Sequence, residues 1–152
     1  MPRQSVPTPR ELFARFQRNV LEGGVAFTED MCAEDIVLET PFSPKGAPGR
    51  VEGRDAVMRF VAAGRRSLDV RFEKFRDVVV HETADPEVIV VEYALAAAAG
   101  PGGPTLVAPF VVVLRARDGR IAHWREYQNT AAIAEALSGR PPGQPSSRAK
   151  ST

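Results

Sequence analysis

The stretch Pro109–Gln128, reading PFVVVLRARDGRIAHWREYQ, constrains this chain more than any other. Two apolar runs meet at Asp118-Gly119, a pair suited to a type I′ turn because both central residues of that turn need positive φ. With that turn, Arg117 faces Arg120. An unbroken antiparallel ladder then sets Val113 against Trp124, Val111 against Glu126 and Pro109 against Gln128. Phe110, Val112 and Leu114 fall on the other face with Tyr127, Arg125 and His123. Neither face is polar, so both should be covered, one by helices and the other by a second copy of the chain. Glu126 shares its predicted face with Val111, Val113 and Trp124, where desolvation would raise its pKa.

The preceding sequence explains what the hairpin packs against. Residues 1–7 hold two prolines without a pattern and read as a loose arm. Thr8-Pro9-Arg10-Glu11 reads as a helix start, with Thr8 as N-cap, Pro9 in the first turn and Glu11 closing a capping box. Leu12, Phe13, Phe16 and Val20 then follow helical spacing up to Gly23-Gly24. Residues 25–34 suggest a short second helix and 34–42 a strand stopped by Pro41. After a Pro/Gly loop, Gly53-Arg54-Asp55 opens a third helix carrying Val57, Phe60 and Val61, with Gly64 as its expected C-cap. From Val70 the period falls to two, giving strands at 70–81, 87–97, 105–116 and 120–128. Residues 131–137 form a small helix, and the Pro/Ser-rich 138–152 reads as a disordered tail. Helices followed by short-linked strands predict one α+β domain over 8–137, with a curved, mostly antiparallel sheet wrapped around three N-terminal helices.

Composition narrows the function. A net charge of +1 gives no field for nucleic acid, and no apolar run approaches the ~18 residues of a membrane span. No apolar leader precedes the first helix, so the chain reads as cytoplasmic. One cysteine, Cys32, and two histidines, His81 and His123, exclude an internal disulfide and argue against a metal centre. Gly100–Gly103 lacks the lysine and following helix of a phosphate loop, so no nucleotide cofactor is expected.

Three segments carry a family resemblance. Ala33–Phe42 (AEDIVLETPF) resembles the "ADDATVEDP"-type strand of the nuclear transport factor 2-like superfamily. Glu52–Val57 (EGRDAV) is similar to its "GREAI" helix opening, and Gly119–Tyr127 (GRIAHWREY) to its "GKITxWRDY" terminal strand. The superfamily includes SnoaL-like polyketide cyclases, ketosteroid isomerases and limonene epoxide hydrolases. The resemblance implies a cone-shaped sheet with an apolar small-molecule pocket and acid–base chemistry without a cofactor. The isomerases' tyrosine, base and acid positions hold Phe16, Thr40 and Val111, which argues against a steroid isomerase of that type. Against the epoxide hydrolases, Glu126 stands at the "WRD" aspartate, but Glu92 and Ala94 replace an arginine and an aspartate.

Glu126 is therefore the leading candidate for proton transfer, the alternative being an ion pair with an arginine. Glu92 shares a parity with Val88, Val90 and Ala94. It would either approach Glu126 as a second carboxylate or answer Arg71 or Arg76 on the neighbouring strand. Thr40 would hold substrate or water. Phe16, Phe42, Phe60, Val111 and Trp124 would wall a pocket for a hydrophobic small molecule, and Gln128 would orient a polar group at its mouth. The expected dimer surface is Phe110, Val112, Leu114 and Tyr127. No metal, nucleic-acid or membrane partner is expected.

Overall fold

A computed structural model describes residues 5–138. Residues 1–4 of the expected arm and 139–152 of the expected tail lie outside the described residues. The chain runs α1 (Pro9–Leu21), a 3-10 turn (Glu29–Met31), β1 (Cys32–Glu39), β2 (Arg50–Glu52), α2 (Arg54–Arg66), β3 (Val70–Glu82), β4 (Val88–Ala99), β5 (Thr105–Arg117), β6 (Arg120–Gln128) and α3 (Thr130–Leu137). One six-stranded sheet is ordered β2-β1-β6-β5-β4-β3. Every neighbouring pair is antiparallel except β1 with β6, which are parallel. The expected α+β architecture is present. The second predicted helix is reduced to the 3-10 turn, with residues 25–28 irregular and 32–34 entering β1, and the third helix of the fold lies at the C-terminal end. Gly64 lies inside α2, which ends at Ser67 instead.

Local chemistry sets the helix positions. Thr8 caps α1 by accepting from the Glu11 N–H at 3.2 Å, and Leu12, Phe13, Phe16 and Val20 bury its inner stripe. That stripe packs against the inner face of β3–β6, while α2 covers β1 and β2. Pro109, which has no N–H to give, falls one residue past the last β5–β6 pair, Phe110 with Gln128, where β5 no longer needs a donor on that side.

The hairpin turn forms as the sequence predicts, with φ of 52° at Asp118 and 75° at Gly119, and Arg117 pairs with Arg120. Beyond it the expected register fails. Ala116 pairs with Ile121 but Arg115 pairs with His123, leaving Ala122 as a one-residue bulge. Because side chains alternate along a strand, one inserted residue moves everything after it to the other face. Trp124 therefore pairs with Leu114, Glu126 with Val112 and Gln128 with Phe110. Leu114 and Val112 are wholly buried under the helices. Three of the four residues expected on a dimer surface, Phe110, Val112 and Leu114, thus point inward. Val111, Val113, Arg125 and Tyr127 occupy the outer face.

Candidate functional site

On the inner face of β6 the row after Trp124 carries a carboxylate. Glu126 accepts a hydrogen bond from Gln128 Nε2 at Oε2, 2.6 Å away, and is not matched by any arginine among the described residues. Part of the residue's surface stays accessible, but protein surrounds the carboxyl. Burial pushes its pKa upward, opposed by hydrogen-bonding groups on Gln128, Trp124 and Tyr93 that favour the charged form. Tyr93, on the inner face of β4, is 4 % exposed. Its phenol is pushed far above the ordinary range, first by burial and then by the adjacent Glu126. At neutral pH it is a proton-bearing donor. Phe110 stacks over the Tyr93 ring at 5.3 Å between centroids, with 16° between planes.

Sequence reasoning missed Tyr93. The signal was the parity of β4: Ile89, Val91 and Tyr93 are buried together, whereas Val88, Val90, Glu92 and Ala94 face outward. The predicted inner parity was the wrong one, by the same alternation that misplaced Val111.

The structure separates the other candidates. Glu92 is exposed on the outer face, where His81 Nε2 lies 2.7 Å from its Oε2. It neither approaches Glu126 nor answers Arg71 or Arg76. Thr40 is buried at the end of β1, but its hydroxyl contacts Ser43 Oγ at 2.5 Å and Pro48 O at 3.3 Å, tying the base of the 40–49 loop. Its bonds are spent on the loop rather than offered to a ligand. Phe16 and Trp124 are core, with ring centroids 4.7 Å apart, and Phe13, Phe27, Phe75 and Tyr93 complete the cluster. Phe60 is half-buried and packs against this core from α2. Phe42 is 58 % exposed and stands edge-on to Tyr127 on the outer side, and Val111 also faces outward. Of these candidates Gln128 and Trp124 reach the Glu126 carboxyl.

Phe42, Val111, Tyr127 and Glu92 border an open, largely apolar depression of about 960 Å³ across β3–β6, which Tyr93, Phe110 and Gln128 line as well. Cys32 is buried and its thiol is pushed up to about 11 by desolvation, which leaves it unreactive. Among the described residues, no three His, Cys, Asp or Glu side chains are grouped to hold a metal ion. Among the same residues, no helix is long and apolar enough to cross a membrane.

Comparison with known proteins places this geometry. The SnoaL-like domain model matches residues 10–124. An uncharacterized PhzA/B-like protein of Pseudomonas aeruginosa is 36% identical over 110 residues, 72% of this chain and 76% of that protein. A crystal structure from Bacillus subtilis, under the provisional name of an isomerase, superposes with a TM-score of 0.76 at 25% identity. It covers 86% of this chain and 93% of its own. Another, from Pseudomonas putida and provisionally named a polyketide cyclase, gives 0.65 at 22% identity over 84% of this chain and 96% of its own.

Proposed function

Because this chain belongs to the SnoaL-like family, of nuclear transport factor 2-like fold, we propose that it takes a small, hydrophobic organic molecule against the inner face of its sheet and moves a proton on it with Glu126. The observation that carries this is the placement of one carboxyl on that face, bonded by Gln128, beside the buried phenol of Tyr93. A carboxyl whose pKa is raised by desolvation gives up and takes back a proton more readily near neutral pH than an exposed one does. Gln128 holds the carboxyl at Oε2. Tyr93, kept protonated, gives its one O–H to the Glu126 carboxyl and steadies the charged form that accepts the substrate's proton. The reaction class is proton transfer beside a carbonyl, as in a cyclisation or isomerisation. The provisional names of the structural neighbours agree with that class.

The test begins with native mass spectrometry of freshly purified protein to identify a retained small molecule. Turnover of that molecule is then followed in wild type and Glu126→Gln. The substitution should leave folding and retention intact and reduce turnover by at least about a hundredfold, the scale of a lost general acid or base. Unchanged turnover would refute the role. A second reading, a binding module without catalysis, is favoured by one feature: Phe16 and Trp124 fill the centre of the cone. It predicts retention of a ligand that neither protein transforms.

A further inference from the structure

The segment joining β1 to β2 is stiff within itself and lightly held to everything else. Thr40 N–H donates to Gly49 O at 2.9 Å, Ser43 N–H to Thr40 O at 3.0 Å and Ala47 N–H to Pro44 O at 3.0 Å. The hydroxyls of Thr40 and Ser43 lie 2.5 Å apart, and both reach Pro48 O, at 3.3 Å and 3.2 Å. Pro41, Pro44 and Pro48 remove further backbone freedom. Residues 41–49 are exposed apart from Ser43. Among the described residues, one hydrogen bond ties this strap to the body of the protein: Thr130 Oγ1, in the first turn of α3, donates to Phe42 O at 2.5 Å. The Phe42 ring stands edge-on to Tyr127, 5.5 Å between centroids.

Position gives that light attachment a use. Glu39 is the β1 partner of Arg125, so the chain leaves the sheet at Thr40 level with Glu126. The strap then reaches Thr130, two residues beyond the Gln128 that holds the Glu126 carboxyl. It therefore bridges the end of β1 and the start of α3 alongside the enclosed carboxyl, and Phe42, Gln128 and Thr130 border one depression. On its other side Glu126 is walled by Trp124, 1 % exposed, with Phe16 of α1 at 4.7 Å from the indole. Entry from that side displaces a core ring. Entry from the strap side breaks one hydrogen bond and one edge contact, the low-cost opening from which lids are drawn.

We propose that the 40–49 strap is the gate of the Glu126 site: a stiff flap, hinged at Thr40 and Gly49 and latched by Thr130 on the Phe42 carbonyl, that swings away from α3 to admit a molecule. Because its own hydrogen bonds keep it in one piece, the flap moves as a unit and a single latch sets how often it is open. Gly49 has no Cβ to resist the change of φ and ψ at its hinge. The assignment rests on the reading of Glu126 as the proton-transfer group, while the motion itself is independent of that chemistry.

Trp124, the only tryptophan of the chain, reports the opening without any ligand, because acrylamide quenches its fluorescence on contact. Wild type should be quenched slowly. Thr130→Val keeps the side-chain shape but removes the latch. It should raise the quenching constant about fivefold, the shift in an opening equilibrium expected from one ordinary hydrogen bond. Phe42→Ala should raise it as well, whereas Thr130→Ser, which keeps the hydroxyl, should match wild type. Thr8→Ala loosens the start of α1 instead and should leave quenching unchanged; circular dichroism confirms that each variant is folded. Unchanged quenching in Thr130→Val overturns the gate. So does an equal rise in Thr8→Ala, which would place the entrance under α1. No turnover enters the measurement, so the gate can fail while Glu126 keeps its role, and unchanged turnover in Glu126→Gln would remove the chemistry alone.

Discussion

Replacing Phe16 by alanine decides whether the centre of the cone is packed or open. Phe16 is 7 % exposed, with aromatic centroids at 4.7 Å (Trp124), 5.5 Å (Phe13), 5.9 Å (Phe75), 6.0 Å (Phe27) and 6.4 Å (Tyr93). An aromatic side chain buries ~150–250 Å². At about 25 cal/mol per Å², that is roughly 4–6 kcal/mol of transfer free energy. Alanine retains its Cβ, and part of the Phe16 surface was never buried, so the net loss should be about 4 kcal/mol, inside the range of about 3–5 kcal/mol for such truncations. Urea unfolding of both proteins under identical buffer measures it, and the melting temperature should fall by about 10–15 °C for a domain of this size. The cavity left behind is lined by apolar rings and should take up benzene, restoring part of the lost stability. A loss under about 1.5 kcal/mol would refute the packed centre. Phe16 would then be the wall of an existing pocket, and the catalytic reading would gain a substrate chamber.

Two further outcomes follow from particular residues. The folded-state pKa of Glu126 lies above its unfolded value, so its contribution to stability is whole below the unfolded pKa and is lost as pH rises through the folded one. Glu126→Gln carries no such penalty, so its melting temperature relative to wild type should climb between pH 4 and pH 8; a pH-independent difference would contradict the desolvated carboxyl. Gly119→Ala should cost about 1–2 kcal/mol in urea unfolding, because alanine resists φ of 75° and its methyl would come within 2.8 Å of Pro7 Cδ and 2.9 Å of Val6 Cβ. A neutral effect would mean that residues 6–7 do not rest on the turn.

Much of the fold was legible because it depends on local rules. Thr8 caps α1 through a contact three residues long, and Asp118-Gly119 turns the hairpin because both residues tolerate positive φ. Period-two apolarity located the long strands within a residue or two, Glu82 and Ala99 being the overruns. Glu126 could be singled out from its neighbours in sequence, since a carboxylate in an apolar strand is conspicuous whichever face it takes. Gln128, two residues further along the same strand, could be named as well, but Tyr93 could not. Tyr93 comes to Glu126 across strand pairings, and Thr40 is withdrawn from it by Ser43 and Pro48, which belong to a loop without periodicity.

The sequence alone determined the first helix and its Thr8 cap, the four long strands, the hairpin turn and the presence of one ionisable group in an apolar setting, all of which rest on interactions within a few residues; it did not give the short β2 or the end of α2. Tertiary structure decided which side of the sheet each residue faces. That choice hangs on Ala122, an ordinary residue that bulges so that Trp124 can enter the aromatic core with Phe13 and Phe16, at 6.3 Å and 4.7 Å. Burying the indole outweighs one interrupted ladder position, and the same slip carries Glu126 inward to Tyr93 and turns Arg125 and Val111 outward.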